Sequence, residues 1–362
     1  MDSELSRTFL DGLFPEGSRR LATGETAPRE MRFWVIRGKR GPRWIVPAHP
    51  AAGLAALRHW RPFDAASRAK WTLLMAAYRA GVLGAVPGIA RLAIGIPETA
   101  DWSHLGWQGV SAPQPVVHVG TPSANQRLVA SLVDPETGVA LAVAKVPVGA
   151  NAQARILHEA DLLERLAEEQ PGVAPRLLFR NAARGIATEE AFRGQPTGRR
   201  LTADHLAFLD RLRVAGGEIS LRHAVERLRP ALDGLAPDVA AAISPVLDGL
   251  DAPAPLPAVW LHGDFAPWNL FRQEGRLVAC DWENAEPRGL PLFDAMHFLW
   301  IQRYLFSDRK SDCAMEALRT QFHLTEEDVV RISKFYRVAT IAKGGMEDPN
   351  YVKFLMGSLR DE

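Results

Sequence analysis

Apolar positions follow two periods along this chain, and the change from one to the other orders its elements. In the first half they come in short blocks bounded by Gly and Pro. Met31-Arg-Phe-Trp-Val-Ile36 and Arg43-Trp-Ile-Val46 predict two strands, joined by the hairpin signal Gly38-Lys-Arg-Gly-Pro42. Pro50 to Trp60 and Ala65 to Ala80 predict helices, with Asp64 as the N-cap of the second. Pro87 to Pro97 reads as Gly/Pro punctuation, and Ser111-Ala-Pro-Gln-Pro115 as a boundary. A second hairpin follows: Arg127 to Val133, the turn Asp134-Pro-Glu-Thr-Gly138, then Val139 to Val146.

From about Ala152 to Glu168 the period becomes helical, with Ile156, Ala160, Leu163, Leu166 and Ala167 forming one apolar stripe. Glu159 falls inside that stripe. A carboxylate on a buried face needs a cation, and Lys145, one loop upstream, is the candidate. Arg184 to Phe192 predicts one more strand. The rest reads as helical: Ala203–Arg213, Leu221–Arg229, Pro237–Leu250, then several helices from Leu292 to Leu359. Strands first and helices afterwards indicate an α+β architecture.

Within the helical half, Val259-Trp-Leu261 and Leu277-Val-Ala-Cys280 are short apolar runs that read as strands. Each leads into polar chemistry. The first opens onto His262-Gly-Asp-Phe-Ala-Pro-Trp-Asn269 and the second onto Asp281-Trp-Glu283. A carboxylate at Asp264, an amide five residues on and a second carboxylate twelve beyond it form the set that phosphoryl transfer from a nucleotide needs. One Asp orients the acceptor hydroxyl and takes its proton, while an Asn and another Asp hold Mg²⁺ against the phosphates. Strand ends and loops are where a rigid scaffold presents such groups.

These residues resemble the aminoglycoside phosphotransferase and choline kinase superfamily, whose fold is protein-kinase-like and bilobal. The likeness covers roughly residues 115–305. It implies that Asp264 is the catalytic base, that His262 braces the catalytic loop, and that Asn269 and Asp281 bind Mg²⁺. It further implies that Lys145, in Ala142-Val-Ala-Lys145, grips the phosphates of ATP or GTP and pairs with Glu159. Ser123, in Val119-Gly-Thr-Pro-Ser-Ala-Asn-Gln126, occupies the nucleotide-covering loop, which lacks the triple-glycine pattern of protein kinases. Glu190 to Phe192 is the implied hinge whose backbone meets the purine. Residues 1–110 then form an accessory module, 115–192 a β-rich N-lobe and 193–362 a helical C-lobe.

Charge and composition narrow the acceptor. Net charge is +1, so nothing overall favours nucleic acid. Residues 1–110 carry 15 Lys+Arg against 9 Asp+Glu, a net of +6 that reads as a solvated basic face. The C-terminal region mixes signs, whereas a polycationic aminoglycoside would favour an acidic pocket. A small-molecule hydroxyl acceptor, a sugar or related metabolite, is the expectation. Asp294-Ala-Met-His297 puts two polar groups on one helix face, where family members build acceptor pockets; Asp294 equally suits bracing the catalytic loop. A protein Ser/Thr kinase is disfavoured because Asp281 runs almost directly into Pro287, Pro291 and a helix. A pseudokinase docking module is disfavoured by the intact Asp264, Asn269 and Asp281.

Two cysteines give no disulfide framework, the N-terminus is polar, and Trp71 to Ile96 carries central arginines. A cytoplasmic protein with no membrane span is expected.

Overall fold

The computed structural model describes residues 3–57, 60, 62, 65–107, 111–192, 194–307, 312–344 and 348–360. Its chain divides into two compact units, Met1–Gln195 and Pro196–Glu362. Asp64, the expected N-cap, lies outside the described residues.

The first unit is built on one antiparallel sheet of nine strands. Their spatial order is Arg19–Arg20, Ala90–Ile96, Arg29–Gly38, Gly41–Pro47, Gln114–Val119, Arg127–Val133, Ala140–Pro147, Ile186–Glu190 and Leu177–Asn181. Both expected hairpins are present. The strand of Trp44 pairs directly with that of His118, so the sheet runs without a break from residues before 110 into residues after 115. Two strands lie where the sequence pattern suggested loops. Ala90–Ile96 sits inside the Gly/Pro-punctuated stretch, and Gln114–Val119 begins within the supposed boundary. In both, flanking Pro and Gly mask a run of only six or seven residues.

Strand periodicity assigns the two faces. Val35, Ile45, Val117, Ala130, Ala144 and Val146 turn to one side. There the helix Ser3–Leu13 covers them with Leu5, Phe9 and Leu13. A Cβ on Gly12 would lie 2.4 Å from Val146 Cγ1, so only glycine lets this helix approach the sheet so closely. Residues of the other parity face away from that helix. Ile36, Trp44, Val46 and Val116 meet Tyr78 of the helix Ala65–Arg79 and Leu57 of Pro50–Leu57. Ala187 meets Ile156 and Ala160 of the helix Ala152–Glu169. Lys145 shares this second parity, and its side chain therefore turns towards Glu159.

The second unit carries seven helices among its described residues, the last four being Phe293–Phe306, Asp312–Gln321, Glu326–Ala342 and Pro349–Arg360. They accompany an antiparallel sheet of Arg213–Ser220, Pro255–Leu261 and Glu286–Gly289, and the hairpin Leu270–Gln273/Arg276–Ala279. Arg213–Ser220 corrects the expected helix Ala203–Arg213, which ends at Arg211. Gly216 and Gly217 sit in a register shift of this strand and hide its alternation. A strand-rich unit followed by a helix-rich one is the bilobal α+β architecture. No helix among the described residues is long and apolar enough to cross a membrane.

Candidate active site

In the second unit, the strand Pro255–Leu261 ends immediately before the His262 loop. Gly263 has φ +79°, and a Cβ there would lie 2.2 Å from Asn284 O. Only glycine makes this turn. The loop is then fastened from three directions. Asp294, at the start of the helix Phe293–Phe306, accepts the main-chain N–H of His262 at 2.7 Å and that of Gly263 at 3.0 Å. His262 is fully buried; its Nε2 lies 2.8 Å from Cys280 O, and its Nδ1 accepts the N–H of Asp264 at 3.2 Å. A carbonyl on one side and an N–H on the other set the tautomer, with the proton on Nε2. Burial raises the pKa of Asp294, against the two N–H bonds that favour its ionised form.

Asp264 is buried, with both carboxylate oxygens engaged. Asn269 Nδ2 donates to Oδ2 at 3.0 Å and also to the main-chain oxygen of Asp264 at 2.9 Å. His297 Nε2 lies 3.1 Å from Oδ1. The other ring nitrogen of His297 is 3.1 Å from Tyr336 Oη, which in turn is 2.8 Å from Tyr351 Oη. Burial pushes both phenols far above the ordinary tyrosine range. A carboxylate accepts, so His297 Nε2 carries the hydrogen of its contact with Asp264.

The hairpin brings the second acidic site beside the first. Glu274 and Gly275, with φ of 51° and 75°, make a tight turn of the kind that suits a two-residue hairpin loop. The register pairs Leu270 with Ala279. One step further out, Cys280 N donates to Asn269 O at 2.9 Å, which sets Asp281 next to the Asn269 pair. Asp281 has φ +69°, a left-handed conformation that Asp tolerates at a cost of roughly 1 kcal/mol. Trp282, fully buried, donates Nε1–H to Ala279 O at 2.8 Å and packs 4.6 Å from the His262 ring, between centroids. That anchor holds the bend.

Do these residues fit Mg²⁺? Two hydrogen bonds fix the Asn269 amide with its nitrogen on Asp264, which turns its oxygen the other way. An amide oxygen and a carboxylate are hard donors, the kind Mg²⁺ takes in ones and twos while phosphates and waters complete its octahedron. They fit. Among the described residues no group of three His, Cys, Asp or Glu side chains is arranged for a metal.

In the first unit, Lys145 Nζ lies 2.6 Å from Glu159 Oε1, and all three groups of a small ionic cluster are buried. The third member was not foreseen: Glu189 Oε2 is 3.3 Å from the same nitrogen. The strand parity carried the signal, because Glu189 pairs opposite Val143, on the Lys145 side. Glu190, the expected hinge residue, takes Arg176 at 3.1 Å, and its N–H goes to Arg176 O. Phe192 is half-buried beyond the strand end. Ser123 Oγ accepts the N–H of Asn125 at 3.2 Å, a turn within its own loop. The loop packs on Gly149, where a Cβ would stand 2.5 Å from Ser123 O.

Asp294 thus takes the bracing alternative. His297 is the functional candidate that the motif alone does not assign. Tyr336 and Tyr351 could not be linked to it from one sequence, since 39 and 54 positions separate them from His297.

The chain belongs to the phosphotransferase enzyme family, whose model matches residues 102–331. Among solved structures it is similar to choline kinase LicA from Streptococcus pneumoniae, at 14% identity over 68% of this chain and 94% of that one, with a TM-score of 0.47. The GDP complex of aminoglycoside 2'-phosphotransferase-IIIa is similar at 13% identity, covering 70% of this chain and 94% of that one, with a TM-score of 0.46. Macrolide 2'-phosphotransferase type I gives 13%, 67%, 90% and 0.44. No curated relative matches the chain in sequence.

Proposed function

We propose that this phosphotransferase moves the γ-phosphate of ATP or GTP to a hydroxyl of a small molecule, a sugar or related metabolite, with Mg²⁺. The observation that carries this reading is the state of Asp264. It is buried, its two oxygens are fixed by Asn269 and His297, and it sits on a loop that Asp294 and His262 hold from behind. Such a carboxylate is positioned to align an alcohol and take its proton as the oxygen attacks phosphorus. Asn269 and Asp281 hold the metal, which when bound neutralises charge on the phosphates. Lys145, set by Glu159 and Glu189, grips the α- and β-phosphates. Ser123 covers the nucleotide with the N–H groups of its loop, and the backbone between Glu190 and Phe192 meets the purine. Cys280 is in no disulfide among the described residues, which suits a reducing cytoplasm.

Positioning is most of what phosphoryl transfer requires, and a fixed carboxylate supplies it. The segment from Asp281 to the helix at Phe293 contains the strand Glu286–Gly289, which leaves little length for an activation segment of the protein-kinase kind. The test is a screen of sugars, sugar alcohols and other hydroxylated metabolites for acceptor-dependent release of ADP or GDP with Mg²⁺. Acceptor-dependent release by the wild type, absent without Mg²⁺, supports the reading. Release that ignores every acceptor, or that persists in EDTA, overturns it.

A further inference from the structure

One cavity in the second unit is left over by the chemistry above. It measures about 440 Å³ and lies among the helices Phe293–Phe306, Asp312–Gln321 and Glu326–Ala342. That is within the range of small-molecule sites. Met296, Trp300 and Met315 give it an apolar wall, and Arg303, Lys334 and Arg337 give it three cations. No carboxylate lines it among the described residues. In a chain with nearly equal numbers of acids and bases, three cations without an acid is a marked local bias.

Two details show that this charge is built in. Arg337 is fully buried on its helix; its Nε donates to Ser333 O at 3.3 Å and its Nη1 to Ser358 O at 2.9 Å. Its guanidinium also stands 5.1 Å from the centre of the Trp300 ring, and that of Arg303 stands 4.9 Å from the same ring. Two like charges brought to one indole cost repulsion and desolvation, which a bound anion would offset. Arg303 adds an independent sign. Its Nε is buried without a hydrogen-bond acceptor among the described residues. An unmet buried donor is costly and asks for a partner.

We propose that this cavity binds a small organic anion: a carboxylate or phosphate ester carried on a flat, apolar body. The anionic group meets Arg303 and Lys334, and the body lies against Trp300, Met296 and Met315. Polarizable thioethers and an indole favour an aromatic or unsaturated body over a fully hydroxylated one. Two of its lining residues, Met296 and Trp300, lie one position before and three positions after His297 on the same helix. The proposal does not depend on the phosphotransfer reading.

The test is calorimetric titration of the intact chain, with ADP and Mg²⁺ present throughout so that any nucleotide site is engaged. The probes are benzoate and phenyl phosphate, and their uncharged counterparts benzamide and phenol. Either anion should bind about tenfold or more tightly than its neutral counterpart, as charge-assisted bonds require. The better of the two anions identifies the charged group. Arg303→Met and Lys334→Met keep the aliphatic stems and remove the charges. Each should weaken anion binding by about tenfold while leaving benzamide binding unchanged and without lowering the thermal midpoint. Equal binding of anion and neutral counterpart, or anion binding indifferent to both substitutions in folded protein, overturns the proposal.

Discussion

His297 Nε2 lies 3.1 Å from Asp264 Oδ1, inside a fully enclosed chain that ends at Tyr336 and Tyr351. This contact joins the helix Phe293–Phe306 to the His262–Asn269 loop at the Asp264 carboxylate, whereas Asp294 joins the same helix to that loop at its backbone. One helix therefore fixes both the course of the loop and the direction of its acid.

If the contact positions Asp264, His297→Ala should lower kcat by up to about a hundredfold with little change in KM, since a misplaced carboxylate loses orientation and not affinity. His297→Gln, whose Nε2–H can still donate, should recover much of the loss. Steady-state kinetics of both variants decide the point. A KM effect alone, or no difference between Ala and Gln, would show that His297 only fills space.

The buried cluster around Lys145 makes a second prediction. Lys145→Met removes a cation that faces two buried carboxylates, at 2.6 and 3.3 Å. Breaking such a pair from one side typically costs about 3–5 kcal/mol. Adding Glu159→Gln should return part of that stability and should not weaken nucleotide binding further. A double-mutant cycle by denaturant unfolding and nucleotide titration should give a coupling of roughly 0.5–3 kcal/mol. Strict additivity would mean that the two side chains act separately.

Asn269 and Asp281 should separate into two behaviours. Asp281→Ala removes a proposed metal ligand, so it should abolish the Mg²⁺-dependent part of nucleotide affinity and leave the fold intact. Asn269→Ala removes the other proposed ligand and also the 3.0 Å bond to the Asp264 carboxylate. It should lose Mg²⁺-dependent affinity and some thermal stability as well. Calorimetry with and without Mg²⁺, next to melting curves, distinguishes them. Unchanged Mg²⁺-dependent affinity in Asp281→Ala would remove it from the metal site.

Acid should destabilise the protein through two histidines outside the His262–Asn269 loop. Burial lowers His205 to about 4 and His118 to about 3. An unfolded chain takes protons on these groups near pH 6.5, while the folded chain refuses them. Their stabilising effect is therefore complete above pH 6.5 and falls away as pH drops towards 4, by about 1 kcal/mol per pH unit and group. Denaturant midpoints of wild type and of a His118→Gln/His205→Gln variant at pH 7 and pH 5 measure it. The variant should show a shallower acid-side loss, and equal slopes would exclude these two histidines.

Much of the site was legible because its residues are close in sequence. The spacing of His262, Asp264, Asn269 and Asp281 encodes a loop and a hairpin, and the hairpin register follows from a two-residue turn. Glu159 could be read from its place in an apolar stripe, and Lys145 from its nearness. Glu189 lay hidden because its partner is chosen by pairing between distant strands. The strands Ala90–Ile96 and Arg213–Ser220 were obscured by Pro and Gly, whose turn signals are stronger than a short alternation. Tyr336 and Tyr351 come from the last two helices, and only tertiary packing brings them to His297.

The account rests most heavily on Asp264 as the group that aligns and deprotonates the acceptor. The direct measurement pairs nucleotide affinity with acceptor-dependent turnover for Asp264→Asn, using an acceptor found in the metabolite screen. Asparagine keeps the size of the side chain and removes its basicity. The account predicts nucleotide affinity within about threefold of wild type and turnover lower by about 10²–10⁴-fold. Turnover within about threefold of wild type would contradict it, because a carboxylate that can be neutralised without loss is not the catalytic base.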